Sequence, residues 1–112
     1  MVASERLICR SADLVDGGPG QRFEIEWEGA KASAFAIRDD GRVFAYLNRC
    51  AHIPVELDWM PGQFFDAEGL YLVCATHGAA YEPRSGHCVG GPCRGASLIK
   101  IEIREYGGAV YY

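Results

Sequence analysis

The chain has 112 residues, 49% of them hydrophobic, which suits one globular domain that buries about two-thirds of its unfolded surface. Eleven basic residues against fifteen acidic ones leave a formal net charge of -4, with no basic run to neutralise phosphates or hold an anionic bilayer, so nucleic acid and membrane surfaces are excluded as partners. The opening MVASERLICR has neither a continuous apolar stretch nor a twin-arginine pair, and no later apolar run approaches the ~18 residues of a span; a soluble protein of the cytoplasm is expected.

Strand signals dominate in chain order. RFEIEW (22–27) alternates on one face, SAFAIR (33–38) and RVFAYLN (42–48) follow, and DDG (39–41) reads as a hairpin turn between them. Segment 53–69 holds the one plausible short helical or 3-10 piece and is otherwise an irregular connection. Beyond it come LYLVC (70–74), the largely alternating SLIKIEIRE (97–105), and AVYY (109–112) after the Gly107-Gly108 turn. Glycine and proline gather at 17–20, 61–62 and 83–95, where helix is hard to sustain. Two strand-rich flanks therefore enclose a loop-rich middle, about 48–95, that contains four of the five cysteines and all three histidines.

Five cysteines cannot all pair within one chain, and in a reducing compartment cysteines point to metal binding or catalysis. Cys50-Ala51-His52 and Cys74-Ala75-Thr76-His77 each carry one thiolate and one imidazole close enough for a single tight loop, and two such loops make a four-ligand site. Zinc accepts two sulfurs and two nitrogens, but typically with like ligands as chain neighbours. A mixed pair on each of two loops is instead what a Rieske [2Fe-2S] centre uses, with both cysteines on one iron and both histidines on the other.

Cys50-x-His52 with Cys74-x-x-His77-Gly78 resembles the signature of Rieske proteins, and the likeness spans nearly the whole chain. It implies an all-β Rieske fold: an antiparallel β-sandwich base domain, about 1–47 and 96–112, with an inserted small cluster-binding β-subdomain, about 48–95. It also implies one [2Fe-2S] cluster held by Cys50, His52, Cys74 and His77, with Gly78, Tyr81 and Pro92 around it. Gly90-Gly91-Pro92 lies where the family has a proline loop over the cluster, and Tyr81 matches a tyrosine whose hydroxyl donates to a cysteine sulfur.

High-potential relatives carry an extra cysteine in each cluster loop and a serine two residues past the second histidine. This chain has Thr76 and Ala79 at two of those positions and no cysteine at 53–55. Fewer donors to sulfur stabilise the reduced cluster less, so the expected potential lies in the low part of the family range, about -150 to 0 mV, lifted a little by Tyr81. A redox titration with a midpoint above about +150 mV would contradict this. Because the non-ligating ring nitrogens can lose protons, the midpoint is expected to fall at alkaline pH.

The remaining candidates have plainer expectations. Cys9 reads as a small buried hydrophobe and His87 as an exposed loop histidine. Cys88 and Cys93 bracket VGGP; free thiols are the reading preferred, ahead of a local disulfide or ligands to a second metal. Trp59, Met60 and Pro61 fit either a docking rim or packing inside the loop, and Glu56, Asp58, Asp66 and Glu68 read as a solvated face. With only His87 outside the two ligand pairs, a two-histidine, one-carboxylate iron site has no histidines to spare, and substrate chemistry is not expected.

The function implied is that of a stand-alone Rieske-type ferredoxin carrying single electrons from a flavin-dependent reductase to a terminal oxygenase or similar enzyme. The alternatives are a Rieske-like small subunit of a larger oxidoreductase such as nitrite reductase, and a Cys2His2 zinc interaction module.

Overall fold

The computed structural model describes residues 6–51, 55–76, 78–93 and 95–112. Among them the chain runs through β1 (Leu7–Arg10), a 3-10 turn (Ser11–Asp13), β2 (Gln21–Trp27), β3 (Ala30–Asp39), β4 (Arg42–Leu47), β5 (Leu72–Val73), β6 (Ala80–Tyr81), β7 (Cys88–Gly90), β8 (Lys100–Ile101), β9 (Arg104–Tyr106) and β10 (Ala109–Tyr111). The fold is nearly all β, as expected, and its paired strands are antiparallel in three sheets ordered β1-β10-β9, β2-β3-β4-β8 and β5-β6-β7.

Two-residue turns build the hairpins. Glu28-Gly29 and Asp40-Gly41 both have positive φ at each position (52° and 81°, 51° and 81°), the backbone that lets a tight turn follow the right-handed twist of its strands. The register locked by these turns runs unbroken from Gln21↔Ala36 to Trp27↔Ala30 and from Ala34↔Leu47 to Asp39↔Arg42.

The central strand β3 is buried on both faces over residues 34–37, which explains the continuous apolar run AFAI. Phe35 and Ile37 face one core, with Tyr46, Leu57, Phe64, Leu72, Tyr81 and Leu98, and Phe35 stacks on Phe64 with centroids 3.9 Å apart. Ala34 and Ala36 face a second core with Leu14, Ile25, Leu47, Ile101 and Val110. Small residues on that face let the sheet of β1, β10 and β9 approach closely, and Tyr112 ties the two sheets by packing on Phe23 and donating its hydroxyl to Glu24 O at 2.7 Å.

Arg38 performs the same joining role with charge. Its guanidinium donates to Leu14 O at 2.7 Å, Ser11 O at 3.1 Å and Gly41 O at 2.9 Å, and pairs with Glu105 at 2.6 Å. The planar fork thus binds β3, the 3-10 turn and β9 together.

Three expectations about elements need correction. The strand expected over 97–105 is two pieces, because β8 pairs with β4 while β9 leaves to pair with β10; alternation reveals which face is buried but not which strand is the partner. The helical piece expected in 53–69 is absent from the described part of that segment. There the carboxylates of Asp58 and Asp66 take the backbone N–H groups of Gly62, Leu70 and Tyr71, which offers the chain an alternative to helix. The 3-10 turn lies at Ser11–Asp13 instead, where Asp13 accepts from Arg10 N. Strands β6 and β7 are too short to show a period, and LYLVC contributes only Leu72–Val73.

The hydrogen bond from Arg38 holds the Glu105 carboxyl below the usual carboxylate range. Such a group contributes stability that is complete above its unfolded pKa and is lost as pH falls through the lowered folded value. Urea midpoints should therefore be insensitive to this pair from neutral pH down to near the ordinary value of 4.5, and should decline below it. Glu105→Gln should flatten that acid limb; an unchanged slope in the variant would contradict the clamp.

Candidate metal centre

The site grows from the end of β4. After Leu47 the chain turns inward at Asn48, a polar residue buried at 4% exposure, whose amide satisfies the following loop from within. Asn48 Oδ1 accepts from Leu57 N at 2.8 Å, and its Nδ2 donates to Asp58 Oδ1 at 2.8 Å. The other Asp58 oxygen accepts from Gly62 N at 2.9 Å and lies 3.5 Å from Arg22 Nε. Asp58 is 5% exposed, so it is not part of a solvated face but the inner clasp of the first loop. Glu56 remains outside, pairing with the same arginine.

This clasp fixes where Cys50 points. Cys50 is 2% exposed, its amide donates to Val55 O at 2.8 Å, and its Sγ lies 3.2 Å from the Tyr81 hydroxyl. The same Tyr81 oxygen accepts from Ala51 N at 2.9 Å, which leaves the phenol proton for the sulfur. Burial first, then the neighbouring sulfur of Cys50, pushes the Tyr81 hydroxyl well above its ordinary pKa, so it stays a donor.

The second loop starts from β5. Cys74 is fully buried, its amide donates to Ala79 O and its carbonyl accepts from Gly78 N, both at 2.8 Å, so the loop closes on itself around the cysteine. Gly78 holds φ +72°, the left-handed backbone this reversal uses. Ala75 N reaches across to Leu57 O at 3.0 Å, and that bond joins the two cysteine loops directly. Cys50, Cys74, Ala79 and Tyr81 accordingly share one core. His52 and His77 lie outside the described residues.

A third loop packs on the second. Pro92 is exposed at the turn after β7, and a Cβ built on Gly91 would stand 2.9 Å from Ala79 Cα, so this turn lies backbone to backbone against the second loop. Cys88 and Cys93, expected as free thiols, form a disulfide across it, with Cα atoms 5.8 Å apart. Pairing across the β7 turn brings them within bridging distance, which removes them as ligands of a second metal.

Other expectations meet their structure as follows. Cys9 is buried in β1 and burial raises its thiol pKa, which fits an inert hydrophobe. His87 is exposed, its ring 3.4 Å from the Ser97 hydroxyl. Trp59 is 87% exposed and Met60 63%, so packing inside the loop is excluded. Asn48, Arg22 and the inward role of Asp58 escape sequence reasoning; the one signal is a polar residue closing the apolar run of β4.

The family model of the Rieske [2Fe-2S] domain matches residues 4–106. The chain belongs to the Rieske [2Fe-2S] family. Among solved structures, the ferredoxin of carbazole 1,9a-dioxygenase from Nocardioides aromaticivorans IC177 is 22% identical with a TM-score of 0.72, covering 97% of this chain and 96% of that one. A complex of reduced oxygenase and oxidised ferredoxin in carbazole 1,9a-dioxygenase matches at 23% identity and a TM-score of 0.72, over 96% and 90%. The Sphingomonas yanoikuyae B1 ferredoxin matches at 20% identity and a TM-score of 0.69, over 96% and 95%. No curated protein matches the chain. These likenesses establish a Rieske fold along essentially the entire chain.

The donor chemistry fits the [2Fe-2S] cluster of a Rieske domain: two buried thiols on joined loops, one of them facing a hydroxyl donor. A hydrogen bond to a ligand sulfur favours a reduced, more negative cluster, so with Cys50 as a ligand Tyr81→Phe should lower the midpoint potential. The loss of about 1 to 1.5 kcal/mol corresponds to roughly 45–65 mV for one electron. Protein-film voltammetry of the two proteins would check it, and an unchanged midpoint would contradict the assigned donor. Separately, Asp58→Ala should cost about 2–4 kcal/mol in urea unfolding by leaving buried donors unpaired, and Asp58→Asn should recover little of it, because both carboxylate oxygens accept and the amide NH2 would face a donor.

Proposed function

We propose that the chain is a Rieske-type ferredoxin: Cys50 and Cys74 ligate one iron of a [2Fe-2S] cluster, His52 and His77 the other, and the protein passes single electrons between a flavin-dependent reductase and a terminal oxygenase. The observation that carries this reading is the pair of buried cysteines on loops bonded through Ala75 N and Leu57 O, with the Tyr81 hydroxyl on one sulfur. Residues about 48–95 form the cluster-binding subdomain and about 1–47 and 96–112 the base; this division is supported by the small sheet β5-β6-β7, which lies wholly between β4 and β8 in the chain.

When bound, the cluster supplies a one-electron couple. The chain's own residues do the rest. The cysteines are placed in an apolar core that keeps competing ligands out, and the Tyr81 hydroxyl stands 3.2 Å from Cys50 Sγ, where it can donate to a thiolate. Ala79, where a serine would add a further hydroxyl, keeps the donor count low, which supports a potential near the lower end of the family range.

The protein is a carrier rather than an enzyme: no substrate chemistry is assigned to any residue, and its partner supplies the reaction. A complex between oxygenase and ferredoxin is described for the carbazole 1,9a-dioxygenase system, and that supports a terminal oxygenase as the acceptor. Among the described residues no helix is long and apolar enough to cross a membrane. We assign the protein to the cytoplasm. The disulfide is compatible with a reducing compartment because both of its cysteines are buried, which shields the sulfurs from attacking thiolates.

Visible absorption and low-temperature EPR, recorded as purified and after dithionite reduction, test the reading. A red-brown protein that gains a rhombic signal of one spin per chain on reduction is expected. A colourless protein with stoichiometric zinc, unchanged after anaerobic reconstitution with iron and sulfide, would replace electron transfer with a zinc module.

A further inference from the structure

Outside the ligand set, the Cys88–Cys93 disulfide is the chain's other covalent feature. Cys88 sits in β7 directly opposite Tyr81, and both bridged cysteines share the core of Cys50, Cys74, Ala79 and Tyr81. The bridge closes the turn Val89-Gly90-Gly91-Pro92, whose exposed proline has no N–H to tie it down.

What the turn presses on is the second cysteine loop. Gly91 has φ +85°, and a Cβ there would come 2.9 Å from Ala79 Cα, 3.1 Å from Gly78 O and 3.3 Å from Ala79 N. Gly90 meanwhile pairs with Ala80 in the sheet. Gly78 and Ala79 are the residues whose amide and carbonyl hold the carbonyl and amide of Cys74. A continuous chain of contacts thus runs from the disulfide through Gly90 and Gly91 to the backbone of Cys74, and a second runs through the Cys88↔Tyr81 pairing to the hydroxyl on Cys50 Sγ.

We propose that Cys88 and Cys93 are positioning residues: their disulfide clamps the Gly90–Pro92 turn onto Gly78-Ala79 and so holds Cys74, and through Tyr81 also Cys50, in the geometry that retains the cluster. This rests on the reading of Cys50 and Cys74 as ligands. The turn is too short and too rich in glycine to keep this position by itself, since two adjacent glycines give it the largest conformational freedom to lose. A bridge across the four intervening residues removes that freedom without adding bulk between the loops.

The test compares wild type, the double variant Cys88→Ser/Cys93→Ser, and Gly91→Ala, which keeps the disulfide but pushes a Cβ into Ala79. The readouts are bleaching of visible absorption in an iron chelator, the g values of the dithionite-reduced cluster, and the midpoint potential. Both variants should bleach about ten-fold faster than wild type, the scale of loss typical for removing a support of metal ligands, with altered g values. Variants with wild-type circular dichroism, wild-type bleaching and identical g values would overturn the proposal even if they melt at lower temperature, because a merely structural staple changes melting alone. If the double variant does not fold, Gly91→Ala decides by the same readouts. A wild-type protein that never takes up iron and sulfide would remove the ligand reading, and this inference with it.

Discussion

The buried hydroxyl of Tyr81 is the point on which the arrangement turns. It lies between Cys50 Sγ at 3.2 Å and Ala51 N at 2.9 Å, so a side chain from one strand of the small sheet sets both the sulfur and the backbone of the first cysteine loop. The hydroxyl has to be placed by a scaffold that cannot give way, because a shift of an ångström would trade a hydrogen bond for a buried unpaired donor. That scaffold is the β5-β6-β7 sheet, packed under the same core as Phe35, Ile37 and Tyr46 of the main sheet. Tyr46 repeats the device from the other side by donating its own hydroxyl to Pro83 O at 2.6 Å.

The two cysteine loops therefore depend on the sheets for direction and on each other for spacing. Asn48 and Asp58 turn the first loop inward, and Ala75 N on Leu57 O sets the second beside it. Buried polar groups of this kind are stabilising only when all are satisfied, and among the described residues no buried side-chain nitrogen or oxygen lacks a partner. The consequence is rigidity: an apolar, fully bonded core opposes rearrangement around the two cysteines.

How much of this is legible in the sequence follows from the kind of signal each part leaves. Cys50 and Cys74 are legible because a mixed thiol and imidazole pair recurs at short spacing, and Tyr81 because its place after the second pair matches a family pattern. The long strands are legible from alternation and from turns such as Asp40-Gly41. The break between Ile101 and Arg104 is not, because the alternation of Ile99, Ile101 and Ile103 runs straight into it and carries no mark of the change of partner. Asp58 misleads for a related reason: its charge suggests water, and only tertiary contact shows that Asn48, Gly62 and Arg22 satisfy it. Cys88 and Cys93 leave their pairing undetermined, since five residues of separation permit a bridge without requiring one.

The central claim is mixed ligation, two sulfurs on one iron and two imidazoles on the other. It is tested most directly by electron spin echo envelope modulation on the dithionite-reduced protein, grown with and without nitrogen-15 histidine. Couplings to two histidine nitrogens that change with the isotope are the result this account predicts. A reduced cluster with no histidine nitrogen coupling, or the absence of any paramagnetic cluster, would contradict it.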